Sequence, residues 1–352
     1  MAQHVASVPA LQQGFVEQSR PSEPKPPARR PAQRHTYGAI DLGTNNCRLL
    51  IARPTDGGFT VIDAFSRIVR LGEGLSQFGR LSDEAMDRAV GALSICADKL
   101  RRRNVSLSRS VATEACRRAA NGAEFSDRVR DETGIVLDII PPQEEARLAV
   151  LGCHKLLEPG DGPALIFDIG GGSTELVLVD QVDGTPKIHS WWSAPWGVVS
   201  LTESEGREAL EGPDRLAAYK RMRERARHAF SRFATMLPEG REGIRLLGTS
   251  GTVTTLASVH LALPSYDRRA VDGLHVATAA MQKISGMIAG MNYEERSSLP
   301  CIGTERADLV VAGCAILEAI IEIWPAKNLG VADRGIREGI LRSLMARDGW
   351  VL

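Results

Sequence analysis

Apolar residues recur along the chain at two spacings, which alternate from residue 37 onward. Short continuous runs such as YGAID and CRLLIAR predict strands, whereas the segment 81–103, with apolar residues three and four positions apart, predicts an amphipathic helix. Asp83 and Glu84 lie in the first turn of that helix and Arg101 lies in its last, where each charge complements the helix dipole. The alternation of strands with helices predicts an α/β protein.

The same two spacings predict the remaining elements. Further strands are predicted at FTVIDAFSRIVRL, 110–113, IVLDII, ALIFD, ELVLVD, IRLLG and NLGVA. Further helices are predicted at 143–157, 213–237, 252–263, 275–291, 306–324 and 335–346, together with a helical stretch that ends at 133.

Residues 1–35 differ from the rest of the chain. They contain the run PSEPKPPARRPAQR, which can bury too little apolar surface to offset the entropy of ordering, so a disordered tail is predicted. The 352 residues are enough for two domains at about 100–200 residues each. We place these domains at 36–160 and 161–352, because the two segments open with a similar pattern.

That shared pattern is a strand, an Asp, a Gly with small polar residues, and a second strand: AIDLGTNNCRLLI (39–51) and IFDIGGGSTELVLV (166–179). It predicts a β-hairpin whose turn exposes backbone N–H groups and whose glycines let phosphate oxygens approach. One such turn alone is more often an ordinary hairpin, but two copies favour a phosphate-binding clamp. A third turn, LLGTSGT (246–252), precedes a helix, which is also typical of phosphate sites.

Two groups of candidate site residues follow from these turns. The phosphate-binding candidates are Gly43, Thr44, Asn45 and Asn46 in the first turn, Gly170, Gly171, Gly172, Ser173 and Thr174 in the second, and Gly248, Ser250 and Gly251 in the third. Asp41 and Asp168 end their strands, and Glu175 lies across the hairpin from Asp168. These three carboxylates are candidate ligands for Mg²⁺ or Mn²⁺, which prefer oxygen donors. The alternative for Asp168 is that it caps the turn.

The two turns resemble those of the actin, sugar-kinase and heat-shock-chaperone ATPase superfamily. Within it, seven segments are similar, in order, to the exopolyphosphatase/guanosine pentaphosphate phosphohydrolase family: DLGTNNCRLLIAR, VATEACRRA, QEEARLAVLG, DIGGGSTELVLV, GTSGTVTTLA, ERADLVVAGCAIL and GIREGIL. The resemblance implies two ribonuclease-H-like (actin-like) α/β domains facing a central cleft, in the short two-domain form of the family. The last helix, after Gly335, is a candidate to pack back on the first domain.

The resemblance also implies an activity, the release of terminal orthophosphate from inorganic polyphosphate by attack of water. Guanosine pentaphosphate is the alternative substrate. The family's catalytic Glu falls in the E-E-A-R segment, where we favour Glu145 as the general base and leave Glu144 open. Arg117 matches the family's phosphate-binding Arg, whereas Arg48 and Arg337 are weaker candidates near the cleft.

Two other functions are weighed against hydrolysis. A small-molecule kinase of the superfamily would need a catalytic Asp in an acceptor pocket, and the E-E-A-R segment argues against it. A non-catalytic nucleotide sensor would keep its cellular function after Glu145→Gln. We interpret Arg118 as a solvated charge. The tryptophans of WWSAPW (191–196) are interpreted as a strand–helix contact rather than a base-stacking platform.

The amino-acid composition bears on which partners and which cellular compartment are expected for this chain. The 43 basic and 43 acidic residues give a net charge of zero, which argues against a nucleic-acid duplex as partner. No apolar stretch reaches the roughly 18 residues that would cross a membrane, and no signal peptide is recognised. Six scattered cysteines without metal-ligand spacing are typical of reduced thiols in the cytoplasm. Monomer and homodimer both stay open.

Overall fold

Two β-sheets organise the part of the chain that the computed structural model describes, residues 35–160, 162–182, 185–237 and 243–351. The strands are β1 (Tyr37–Leu42), β2 (Asn46–Thr55), β3 (Gly58–Ile68), β4 (Leu107–Ala112), β5 (Leu137–Ile139), β6 (Ala164–Ile169), β7 (Thr174–Val182), β8 (Thr185–Ala194), β9 (Arg245–Thr249), β10 (His275–Ala277) and β11 (Asn328–Ala332). The tail predicted for 1–35 lies, except for its last residue, outside the described residues.

The helices lie between and after these strands. They are α1 (Leu75–Phe78), α2 (Asp83–Arg102), α3 (Glu114–Arg118), α4 (Gly122–Thr133), α5 (Pro142–Cys153), α6 (Val198–Glu205), α7 (Arg207–Glu211), α8 (Arg215–Met236), α9 (Gly251–His260), α10 (Arg268–Val271), α11 (Thr278–Gly290), α12 (Tyr293–Ser298), α13 (Val310–Ile323) and α14 (Ile336–Arg347). A 3₁₀ turn, His154–Leu156, follows α5. None of the helices in these described ranges has the length and apolarity needed to cross a bilayer.

The two sheets repeat one topology. The first has the order β3-β2-β1-β4-β5 and the second has β8-β7-β6-β9-β11, with β10 added at its edge. In each sheet the first three strands form an antiparallel meander, and the next two run parallel to its first strand. The repeat seen in two short motifs therefore extends over both sheets, and the predicted α/β class is confirmed. Strands β8 and β10 were not predicted.

The alternation of side chains along β1 decides where Asp41 points. Ile40 and Leu42 pack into the core formed with α2 and α4, whereas Tyr37 and Ala39 pack on the opposite face against α5 and α14. Because successive side chains of a strand point to opposite faces, Asp41 shares the face of Tyr37 and Ala39.

Asp168 is directed in the same way by β6. Leu165 and Phe167 enter the large core beneath α8 and α13, whereas Ala164 and Ile166 contact α5 on the other face. Helix α5 therefore packs against both sheets, and each sheet directs the Asp of its first strand toward the face that α5 covers.

Helix α14 lies against α5 at a distance that only glycine allows. A Cβ atom added at Gly152 would lie 2.0 Å from the carbonyl oxygen of Gly335, and one added at Gly339 would lie 2.0 Å from that of Leu148. Ile340 and Leu344 of α14 pack on β1 in the same cluster. The last helix thus covers the first sheet.

The boundaries of three predicted helices shift for local reasons. The 81–103 helix begins at Asp83, because the Ser82 hydroxyl accepts the N–H of Ala85 at 3.2 Å and caps it. The 143–157 helix ends at Cys153 and tightens into the 3₁₀ turn. The 306–324 helix begins only at Val310, and the turns that replace its first residues carry Arg306.

The glycine contact between α5 and α14 can be tested by Gly152→Ala. The added methyl would overlap the Gly335 backbone, so we expect the free energy of unfolding to fall by about 2–3 kcal/mol. Gly91→Ala is the matched control, because no atom lies within 4 Å of its Cβ position inside helix α2. That control should gain about 0.5–1 kcal/mol. Urea unfolding of both variants measures the difference, and equal values would contradict this packing.

Candidate active site

The ends of β1 and β6 open into one cleft of about 1000 Å³, part of it exposed to solvent. The predicted residues that line it are Asp41, Gly43, Thr44, Asn45, Asn46, Arg48, Glu145, Asp168, Gly170, Gly171, Gly172, Ser173, Glu175, Ser250 and Gly251. The structure therefore brings all three predicted turns together with the carboxylates.

The first two turns have the same internal geometry. The Gly43 N–H donates to the Asn46 carbonyl at 2.9 Å, and the Gly170 N–H donates to the Ser173 carbonyl at 2.9 Å. The turns also touch each other, since a Cβ atom at Gly171 would lie 2.8 Å from the Cβ of Thr44. The glycine is required for this close approach, which brings two sets of backbone N–H groups to one cleft.

The third turn contributes part of what was predicted. Ser250 caps α9 by accepting the Val253 N–H at 3.1 Å, and Gly251 lines the cleft beside it. Gly248 does not line the cleft, because its Cα hydrogen faces the ring of Phe167, 2.7 Å from where a Cβ atom would be.

Thr174 is a second predicted phosphate-binding residue that lies away from the cleft. Its side chain is fully buried and its hydroxyl donates to the carbonyl of Trp196 at 2.7 Å. This hydrogen bond ties strand β7 to the segment after β8. Gly248 and Thr174 therefore take packing positions outside the lining of the cleft, and their predicted phosphate-binding role stays a prediction.

Four carboxylates share the cleft, of which Glu145 and Glu175 are buried and Asp41 and Asp168 are half-buried. Burial raises the pKa of Asp41, Glu145, Asp168 and Glu175 above their ordinary values, and the charge of Glu175 raises the pKa values of Glu145 and Asp168 further. Ser173 and Ser193 oppose this at Glu175 by donating hydrogen bonds to its carboxylate at 2.7 and 2.9 Å. The arrangement concentrates negative charge where a cation would relieve it.

Glu145 and Glu144 point in different directions, since neighbouring residues of a helix are about 100° apart. The Glu145 carboxylate faces the cleft and accepts a hydrogen bond from Arg117 at 3.2 Å. The Glu144 carboxylate instead pairs with Arg147 and Arg109, and these hydrogen bonds lower its pKa. Glu145, which the sequence analysis favours as the base, therefore lines the cleft, and Glu144 does not.

Arg117 lies behind Glu145 rather than in the lining of the cleft. Its guanidinium donates to Glu145, to the Ile140 carbonyl at 2.7 Å and to Glu114 at 2.5 Å. Glu114 itself lines the cleft. In this structure the predicted phosphate ligand thus holds the carboxylate of Glu145.

Two other arginines line the cleft, Arg48 and Arg306. Within the described residues neither forms an ion pair, and Arg306 donates to the Thr255 hydroxyl at 2.8 Å. Burial and the nearby charge of Arg48 lower the pKa of Arg306. The charge of Arg48 also acts on Asp41 and Asp168, whose pKa values it lowers. Two neighbouring guanidinium groups in one cleft favour an anion between them. Arg306 was assigned no role from the sequence, and its place in the ERADLV segment was the available signal.

Arg337, Arg118 and Trp192, which the sequence analysis also considers, do not line the cleft. Arg337 is absent from the lining of the cleft, although its charge lowers the pKa of Asp41. Arg118 faces a separate surface groove. Trp192 packs on the core of the second sheet with Arg232 5.0 Å from its ring centroid, so the structural interpretation of the tryptophans is supported there.

The two repeated sheets and their shared cleft define an α/β protein with glycine turns, arginines and carboxylates gathered in one site. The chain belongs to the Ppx/GppA phosphatase family, whose model matches residues 50–348. This finding confirms the family that the seven sequence segments indicated, and with it an enzyme that hydrolyses phosphoanhydride bonds.

Relatives with two kinds of name are similar to the chain. Exopolyphosphatase 2 of Mycobacterium tuberculosis is 31% identical over 323 residues, which cover 87% of this chain and 97% of that protein. Guanosine-5'-triphosphate,3'-diphosphate pyrophosphatase of Aeromonas hydrophila is 27% identical over 318 residues, which cover 89% of this chain and 60% of that protein. The crystal structure of the Aquifex aeolicus Ppx/GppA family member has a TM-score of 0.73 at 30% identity, covering 90% of this chain and 99% of that one.

The buried carboxylates predict how stability depends on pH. The raised pKa of Asp168 means that the folded state holds its proton more tightly than the unfolded chain does. The free energy of unfolding contributed by this group therefore falls as pH rises from its ordinary pKa of 3.8 to the higher folded value. In metal-free buffer at pH 7, Asp168→Asn should stabilise the protein by on the order of 1 kcal/mol or more.

Urea unfolding between pH 4 and 8 with a chelator present measures this effect, which should shrink toward the acid end. The surface variant Asp127→Asn is the control, because its carboxylate is exposed beside Arg130. A loss of stability at pH 7 for Asp168→Asn would contradict the repulsion described above.

Proposed function

We propose that this chain is an exopolyphosphatase that releases terminal orthophosphate from inorganic polyphosphate, with Glu145 as general base. The observation that carries the proposal is the convergence of two contacting glycine turns, two arginines and the buried Glu145 carboxylate in one cleft. Backbone N–H groups and guanidinium groups would hold the phosphate chain, and the carboxylate would accept the proton of the attacking water.

The environment of Glu145 supports the role of base. Its raised pKa brings a carboxylate closer to the pH at which proton transfer is efficient. Arg117 donates to its Oε2 atom, which orients the carboxylate and leaves Oε1 for the water. Glu114 binds the same guanidinium and so completes a chain of contacts from the cleft wall to the base.

A divalent cation fits the donors that are present. Asp168, Glu175 and Asp41 offer hard carboxylate oxygens in the cleft, and their crowded negative charge favours a cation. No three His, Cys, Asp or Glu side chains in the described ranges are arranged as a complete metal centre. Mg²⁺ suits such a site, since it commonly uses one or two carboxylates together with water and substrate phosphates. When bound, it would neutralise phosphate charge.

Guanosine pentaphosphate is the second candidate substrate, because a relative named for guanosine pentaphosphate chemistry aligns with 89% of this chain. The alignment with Exopolyphosphatase 2 spans nearly the whole of that relative, which favours polyphosphate. We also propose the cytoplasm as the compartment, since all six cysteines are buried free thiols. Monomer and homodimer are both compatible with the proposal.

Direct assay of both substrates tests the proposal. Purified protein with Mg²⁺ should release orthophosphate from polyphosphate with a higher kcat/KM than from guanosine pentaphosphate. A phosphate-release assay with each substrate alone and in competition measures this ratio. The reverse ratio would support the second candidate, and no release from either would overturn both.

Glu145→Gln tests the base. Loss of the proton acceptor should lower kcat about 100-fold or more, while the affinity for the phosphate chain is retained. Glu144→Gln is the matched control, because its carboxylate pairs with Arg147 and Arg109 outside the cleft. That control should keep kcat and lose at most about 1 kcal/mol of stability. Equal kcat values for the two variants would show that Glu145 is not the base.

A further inference from the structure

Residues 69–74 of the first half form a loop that holds the first phosphate turn from behind. The N–H groups of Val69 and Arg70 donate to the carbonyl of Asn45 at 2.8 and 3.0 Å, and the Gly72 N–H donates to the carbonyl of Thr44 at 2.9 Å. A movement of this loop therefore moves the turn with it.

The same loop is attached to the second half by a side chain. The Arg70 guanidinium forms an ion pair with Asp308 at 3.1 Å, and the Asp308 side chain is only 11% exposed. Asp308 lies two residues after Arg306, in the turns that precede α13. The ion pair thus joins the support of the Thr44–Asn45 turn to the segment that carries Arg306.

The backbone of Arg70 adopts a conformation that is rare for a residue with a side chain. Its φ is +47°, in the left-handed region that glycine adopts easily and that an arginine rarely does. Arg88 of α2 holds the loop in this conformation by donating to the Val69 carbonyl at 2.9 Å and to the Arg70 carbonyl at 3.3 Å. Arg70 keeps this unfavourable backbone while its guanidinium pairs with Asp308.

The ion pair also borders the catalytic cleft. Arg70 and Asp308 line a second cavity that shares Asn45 and Leu309 with the cleft. A second contact spans the same gap, since the Gly74 N–H donates to the Glu203 carboxylate at 2.8 Å. The loop 69–74 is therefore joined to the second half by two contacts that lie next to the cleft but do not line it.

We propose that Arg70 and Asp308 are positioning residues, whose ion pair sets the distance between the Thr44–Asn45 turn and Arg306 so that both contact one phosphate chain. The inference rests on the proposed phosphate-chain substrate. We expect the ion pair to affect substrate binding more than the stability of the fold. Ion pairs of this kind add little net stability, but they fix the geometry of the groups they join.

A double-mutant cycle tests the pair. Arg70→Ala, Asp308→Asn and the double variant should each raise the KM for tripolyphosphate roughly ten- to hundredfold, with a smaller change in kcat. The double variant should be no worse than the worse single variant, because the interaction can be lost only once. The cycle removes the separate contribution of the charge of Arg296, which also interacts with Asp308. Arg70→Lys should restore most of the affinity.

Calorimetric binding of tripolyphosphate in the Glu145→Gln background gives a readout without turnover, and the dissociation constants should follow the same cycle. The surface pair Arg128–Asp87 is the matched control, and its variants should leave KM unchanged.

Unchanged KM and affinity in the Arg70 and Asp308 variants, with an active parent enzyme, would overturn the inference alone. Additive losses that follow the melting temperature, without rescue by Arg70→Lys, would also overturn it, since they show a structural role only. A parent protein that neither binds nor hydrolyses tripolyphosphate would overturn the proposed function itself.

Discussion

The crowding of four buried or half-buried carboxylates into one cleft is the constraint on which the rest of the structure depends. Desolvation raises the pKa values of Asp41, Glu145, Asp168 and Glu175, and repulsion from nearby carboxylates adds to it, so ionisation of the cleft opposes folding. The surrounding packing has to hold them against this repulsion. This packing consists of the contact of helix α5 with both sheets and the contact between the two glycine turns. Such crowded carboxylates favour a cation, whereas the glycine turns and the two arginines in the same cleft favour phosphate.

The two hairpins have the same fold, but they differ in the residue that lies across from the Asp. The register pairs Asp41 with Arg48 across the first hairpin and Asp168 with Glu175 across the second. Equivalent positions thus hold a cation in one half and an anion in the other. The first hairpin therefore adds a positive charge to its backbone N–H groups, and the second adds a further carboxylate to its own.

The residues that complete the cleft come from segments outside the repeated hairpins. Glu145 projects from the first turn of α5, a helix that packs on both sheets, so the proposed base is held against both phosphate turns. Arg306 stands in the turns before α13, and the loop 69–74 lies behind the first turn. Our proposal for Arg70 and Asp308 makes these two segments set the distance between the first turn and Arg306, on which binding of one phosphate chain would depend.

The sequence by itself determined the features that depend on neighbouring residues in the chain. The alternation of strands and helices, the two Asp-Gly turns and their candidate phosphate-binding role follow from local periodicity and from glycine's conformational freedom. Only the tertiary structure decided that Glu145 faces the cleft and Glu144 does not, that Arg117 binds Glu145, that Gly248 and Thr174 take packing positions, and that Arg306 lines the site. These outcomes depend on which surfaces meet across the two sheets, and a contact between residues far apart in the chain leaves no periodic signal in it.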